Sequence, residues 1–161
     1  MDRKLIDEYE LGGEKVRNAI KGLVAEDLRQ VPDPALGVGQ WTIGQVVVHL
    51  QDAELAFAHR IKRILAEDDP SYNAWSENRF IERLPTEAQS VEDAVVLIEV
   101  LRRQLARVMR AMSDADLDRA GTHSQLGRQT VGDVLGYAVR HVDHHVRFIV
   151  EKREKFGKIM W

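Results

Sequence analysis

Residues 91–112 read V-E-D-A-V-V-L-I-E-V-L-R-R-Q-L-A-R-V-M-R-A-M. Val91, Ala94, Ile98, Leu101, Leu105, Val108 and Met112 are spaced 3, 4, 3, 4, 3 and 4. That alternation puts them on one side of a helix and predicts a seam packed nearly parallel or antiparallel to other helices. A lone amphipathic helix is marginal in water, so the seam needs partners. Three more segments carry helical periodicity: about Arg3 to Arg29, about Thr42 to Glu67, and about Val131 to Phe156. Few stretches alternate with a period of two, so little sheet is expected. The expected fold is all-α, a four-helix bundle with long connecting loops, forming one domain over residues 1–161.

Three of the helix starts carry caps. Thr42 precedes Gln45, Ser90 precedes Asp93, and Thr130 precedes Asp133, each by three residues. The hydroxyl accepts from the backbone N–H three residues on. Gln45 can reach back, and the two aspartates at least complement the positive helix end. Thr42-Ile43-Gly44-Gln45-Val46 and Thr130-Val131-Gly132-Asp133-Val134 also resemble each other. A duplicated helix pair and a coincidence between two helix openings both account for that.

The joints are Val31 to Trp41, Glu67 to Gln89 and Ser113 to Gln129. Prolines and glycines keep the first from being helical throughout. The other two are long, and long connections in a compact domain are often functional. Trp75, in the second, either walls a pocket or plugs one end of the bundle; the plug is the simpler expectation.

Composition excludes several classes. Lys and Arg number 23 against 26 Asp and Glu, a formal net charge of −3, whereas a nucleic-acid binder normally shows a basic excess. The chain has no cysteine, which removes disulfides, thiolate nucleophiles and Cys-type zinc fingers. The apolar stretches are broken within a few residues, and the first residues lack the apolar run of a signal peptide. A cytoplasmic protein, with no membrane or nucleic-acid partner, is the resulting expectation.

Six histidines occur. In the fourth segment Val131, Val134, Leu135, Ala138, Val142 and Ile149 define an apolar stripe. His145 falls inside it, His141 at its edge and His144 outside. His141 and His145, four apart, stand one above the other and can converge on one ion; pairing of His141 with His144 is the open alternative. In the second segment His49 lies at the edge of the stripe made by Ile43, Val46, Val47, Leu50, Ala53, Phe57, Ile61 and Ile64, while His59 projects to the far side. One imidazole from the second helix and two from the fourth thus reach a buried face. Three neutral imidazoles commonly bind Zn(II) and also suit Ni(II), Fe(II) or Cu(II), and they leave a position open. The competing reading is that each histidine is a satisfied core residue.

The block Gln40-Trp41-Thr42-Ile43-Gly44-Gln45-Val46-Val47-Val48-His49-Leu50, the stretch Gly121-Thr122-His123 with Gly127 and Thr130, and the ending His141-Val142-Asp143-His144-His145 together resemble the DinB/YfiT-like superfamily. The resemblance covers roughly Arg3 to Arg153. It implies a four-helix bundle, usually a homodimer, with a divalent metal, Zn or Ni, held by His49, His141 and His145. His123 matches a recurrent position before the last helix and is the candidate substrate contact; the plainer alternative is a hydrogen bond that anchors its loop. Characterised relatives include transferases and isomerases that use low-molecular-weight thiols such as bacillithiol or mycothiol.

A Lewis-acidic metal with an open position can lower the pKa of water for hydrolysis or activate a substrate thiol. The expected function is therefore a metal-dependent enzyme acting on small molecules, of thiol-dependent S-transferase or hydrolase type. One rival is a non-catalytic metal- or ligand-binding dimeric bundle with a stress or detoxification role. The other is a structural bundle whose histidines are incidental. Glu54, at the margin of the second stripe, is expected to pair with an arginine of another helix rather than to orient a metal ligand. Asp143 points away from the site. The cations between Arg147 and Lys158 are expected to complement a helix C-terminus.

Overall fold

A computed structural model describes residues 1–159. Helices α1 (Lys4–Ile20), α3 (Ile43–Ala66), α5 (Val91–Ala111) and α7 (Val131–Lys155) form the bundle; α2 (Ala25–Arg29), α4 (Glu77–Arg83) and α6 (Asp114–Leu117) are short pieces of the joints. The predicted caps set the ends. Thr42 Oγ1 accepts from Gln45 N at 3.1 Å while Gln45 Oε1 accepts from Thr42 N at 2.9 Å. Thr130 and Asp133 exchange the same pair of bonds. Ser90 accepts from Asp93 N without a return bond.

The first periodic segment is not one helix to Arg29. It stops at Ile20, and Gly22 turns the chain with φ 79°, a conformation that a residue with a Cβ adopts at a cost. The seam of α5 is also rotated from its expected line. Ala94, Ile98 and Leu105 are buried as expected, but Val108 is 43% exposed and the charged Arg102 is fully buried. A stripe drawn through apolar residues alone steps past Arg102.

Helix α1 packs on α5 and α7, and α3 packs on α5 and α7, so α1 and α3 face each other across the bundle, as do α5 and α7. Arg3 reaches Asp114 at the end of α5 while Arg17 binds Glu92 and Glu99 near its start, so α1 and α5 are antiparallel. Gly44 lies against Val91, so α3 and α5 run parallel. Two parallel neighbours cannot be joined by a tight turn. The segment from Glu67 to Ser90 must return along the whole bundle, and it carries α4 past the middle of α3.

Beyond the bundle lies a small sheet that the sequence did not suggest. Strands β1 (Ser71–Tyr72), β2 (Ala120–His123) and β3 (Gly127–Thr130) are ordered β1-β2-β3, with β1 parallel and β3 antiparallel to β2. Tyr72 pairs with His123, and Gly127, at φ 72°, closes the hairpin. Strands this short leave no readable alternation.

The core is two apolar clusters, one around Tyr9, Phe57, Ile61 and Leu105, the other around Val16, Val47, Leu50 and Ile98. A buried polar belt separates them. Two C-terminal cations, expected to complement the last helix, are instead buried: Lys152 donates to Val38 O, and Arg153 to Ala19 O and Lys21 O at 2.7 and 2.8 Å. They tie the end of α7 to the first joint and to the end of α1. No helix among the described residues is long and apolar enough to cross a membrane.

Candidate metal centre

The belt has two parts. In the first, Glu54 accepts from Arg102 Nε at 2.7 Å and from the Tyr9 hydroxyl. Arg102 donates further to Tyr9 O at 2.8 Å and Ala138 O at 3.1 Å. Burial and the neighbouring Glu54 hold the Tyr9 phenol well above its ordinary pKa. Gly12 leaves the space that the guanidinium fills. Glu54 thus pairs with an arginine of another helix, as expected.

The second part is the histidine cluster. Thr42 fixes the start of α3, and two turns on His49 points inward, 1% exposed. His141 and His145 project from the middle of α7. His49 Nε2 lies 3.1 Å from Nε2 of both, and one nitrogen of each ring falls within a common 4.8 Å. His144 is exposed beside Arg147, His59 is exposed, and Asp143 pairs with Lys15 at 2.6 Å. The His141/His145 pairing is therefore the one that converges.

The donor set suits a divalent ion. Bonds of ~2.0–2.1 Å at tetrahedral angles place ligand nitrogens ~3.3 Å apart, close to the spacing seen. Burial pushes His49 down to about 4 and His141 and His145 to about 3; near neutral pH all three offer lone pairs. Nδ1 of His49 and of His141 is buried with no partner. The only hydrogen-bond contacts of the His49 ring among the described residues are those of its Nε2 with the other two rings.

Aromatic rings enclose the cluster. Trp75 stacks on His49 with centroids 5.9 Å apart, Trp41 lies 5.2 Å from the same ring, and Tyr137 stacks on His141 at 5.9 Å. Trp75 therefore walls the site instead of plugging an end of the bundle. The crossover brings it there, and no sequence period reports that path. Glu77, at the start of α4, sets a carboxylate oxygen 3.7 Å from His49 Nε2. Sequence reasoning missed Glu77, Tyr137 and Arg60; the first lies in a joint without periodicity, the others outside any motif.

A pocket of about 250 Å³ opens beside the cluster, lined among others by Arg60, Trp75, Glu77, His123, Gln129, Tyr137 and His141. His123 is 6% exposed, and its Nδ1 accepts from Gln125 N and Leu126 N at 3.1 and 3.2 Å. It anchors its loop and also faces the pocket. A second pocket of about 250 Å³, lined by Val38, Trp41, Val46, His145 and Phe148, flanks the cluster on the other side.

A helical bundle with a parallel crossover thus brings three imidazoles from two helices into a group that could hold one metal ion. The family model of the DinB superfamily matches residues 8–149, and the chain belongs to that superfamily. It is 28% identical over 154 residues to a Bacillus mycoides (strain KBAB4) protein named for a proposed metal-dependent hydrolase activity, covering 96% of this chain and 86% of that one. A Bacillus cereus (strain 03BB102) protein of similar name is 28% identical over 152 residues, with 94% and 85% covered. The fold matches YfiT from Bacillus subtilis, described as a probable metal-dependent hydrolase with an unusual four-helix bundle topology. The TM-score is 0.85 at 24% identity, over 96% of this chain and 86% of that one.

Proposed function

We propose that the protein is a metal-dependent enzyme acting on small molecules, with a divalent ion held by His49, His141 and His145. The observation that carries this is the convergence of three neutral imidazoles, His49 buried and His141 and His145 half-buried, with His49 Nε2 3.1 Å from the other two beside a pocket. Such an ion would supply Lewis acidity and a lowered pKa to a water, the chemistry of hydrolysis. The chain's own groups do the rest. Trp41, Trp75 and Tyr137 exclude bulk water from the rings. Glu77 accepts a hydrogen bond from a nucleophile held next to His49 and so aims it into the pocket. The names of the relatives favour hydrolysis over other reactions.

One observation favours a second reading, group transfer between two organic substrates. The cluster has a pocket on each side, one of mixed polar and apolar lining at His141 and a mainly apolar one at His145. A thiol cosubstrate of low molecular weight on one side and its acceptor on the other fit that arrangement; the lack of cysteine in the chain fits both readings equally.

The test is to load the protein with Zn(II) or Ni(II) and follow cleavage of small esters and amides, with and without an added thiol. Turnover that a chelator abolishes and added metal restores is expected. Turnover only with thiol selects transfer. Metal uptake without turnover in either arm contradicts catalysis and leaves the metal-binding bundle.

A further inference from the structure

The pocket beside His141 has two chemically different ends. At the cluster end stands the Glu77 carboxylate, an acceptor. At the far end the groups are donors. Arg60 is half-buried and lines the pocket, yet no carboxylate lies within ion-pair distance of it among the described residues. Its guanidinium gives one hydrogen bond, to Asn73 O at 3.0 Å, and lies 5.4 Å from the centroid of the Tyr72 ring. Most of its N–H donors remain available. Of the arginines without an acidic partner among the described residues, all but Arg60 and Arg153 are exposed, and Arg153 gives its donors to backbone carbonyls.

His123 packs edge-on against the same Tyr72 ring, centroids 5.7 Å apart. Its Nδ1 accepts from two backbone N–H groups, so that nitrogen carries no proton and the ring proton sits on Nε2. Nε2 has no hydrogen-bond partner among the described residues. His123 is thereby locked as a donor. Gln129 also lines this end; its Oε1 accepts from the Tyr72 hydroxyl at 3.4 Å, which leaves its amide N–H groups free.

A charged donor and two neutral ones, gathered at the end of a half-enclosed pocket away from Glu77 and with no carboxylate in contact with them, fit an oxyanion. We infer that the substrate is a small molecule carrying a carboxylate or phosphate group, which Arg60, with His123 and Gln129, holds while its reacting end lies at the three histidines. The pocket is smaller than the ~300–1,000 Å³ typical of drug-sized ligands, so the anion is a short-range anchor on a compact molecule. The inference deepens the proposed function and rests on it for the placing of the reacting end. Anion recognition itself needs no metal.

The test therefore uses the metal-free protein in low-chloride buffer. Succinate, succinamide and inorganic phosphate are titrated while the Arg60 Nε–H and Trp75 indole N–H resonances are followed by NMR. Saturable shifts with succinate or phosphate, and none with succinamide, are expected; which anion saturates first distinguishes carboxylate from phosphate. Arg60→Gln should weaken anion binding about tenfold or more, the worth of one charge-assisted hydrogen bond. Arg60→Lys, which keeps the charge and serves as the folding control, should lose less. Equal binding of succinamide, unchanged affinity in Arg60→Gln, or no shift with either anion overturns the inference. Those results would leave metal uptake untouched, whereas a protein that binds anion but takes up no metal refutes the proposed reaction and not the anion site.

Discussion

Glu54 and His49 sit little more than a turn apart on α3, and each is 1% exposed. Around Glu54 the polar groups close on themselves: Arg102 and the Tyr9 hydroxyl serve the carboxylate, and backbone carbonyls take the rest of the guanidinium. Around His49 they do not. Three ring nitrogens point at one another, and two Nδ1 atoms are buried without a partner. Buried polar groups normally find partners because leaving them unpaired is costly. A satisfied cluster is explained by the fold alone. The convergence of three Nε2 atoms beside a pocket is not, and it is at those atoms, not at the unpartnered Nδ1 atoms, that a divalent ion would bind.

The largest effect should come from opening the closed cluster. Glu54→Ala leaves a fully buried guanidinium without its carboxylate and should cost about 3–5 kcal/mol in denaturant unfolding. Replacing both partners by apolar residues, Glu54→Leu with Arg102→Met, should cost much less. If the single substitution were nearly neutral, Arg102 would have water or another acceptor, and the contrast with the histidines would fail.

A smaller effect separates the open cluster. In the unfolded chain each histidine titrates near ~6.5, whereas burial holds His49 at about 4 and His141 and His145 at about 3 in the fold. Between those values the unfolded chain binds more protons, so stability rises with pH. Metal-free protein should therefore keep its full stability above pH ~6.5 and lose it progressively as the pH falls toward 3. Unfolding midpoints across that range should fall less steeply in His141→Gln with His145→Gln. An identical slope in the two proteins would place the acid sensitivity elsewhere.

The two regions were not equally legible. The histidines could be read because each lies at a fixed phase of an apolar stripe on a long helix whose cap is also visible, at Thr42 for His49 and at Thr130 for the other two. The same logic foresaw a partner for Glu54. It could not find that partner, because Arg102 interrupts the apolar pattern of α5 and looks like a surface residue in one dimension. Nor could it place Trp75, Glu77 or Arg60 around the site. Their positions follow from the return crossover between parallel helices and from a sheet too short to carry a pattern, both consequences of tertiary path and not of local period. The belt is thus written in two ways, one along helices and one across them, and only the first is visible in the sequence.

The central claim is that His49, His141 and His145 hold one metal ion. Protein purified without an affinity tag or chelating column, then given Zn(II) or Ni(II) and desalted, should carry about one ion per chain by mass spectrometry, in keeping with a single three-ligand site. His145→Ala should carry almost none, while His144→Ala and His59→Ala, whose side chains are exposed, should match the wild type. Wild-type protein without metal, or His145→Ala with its full complement, would contradict the account.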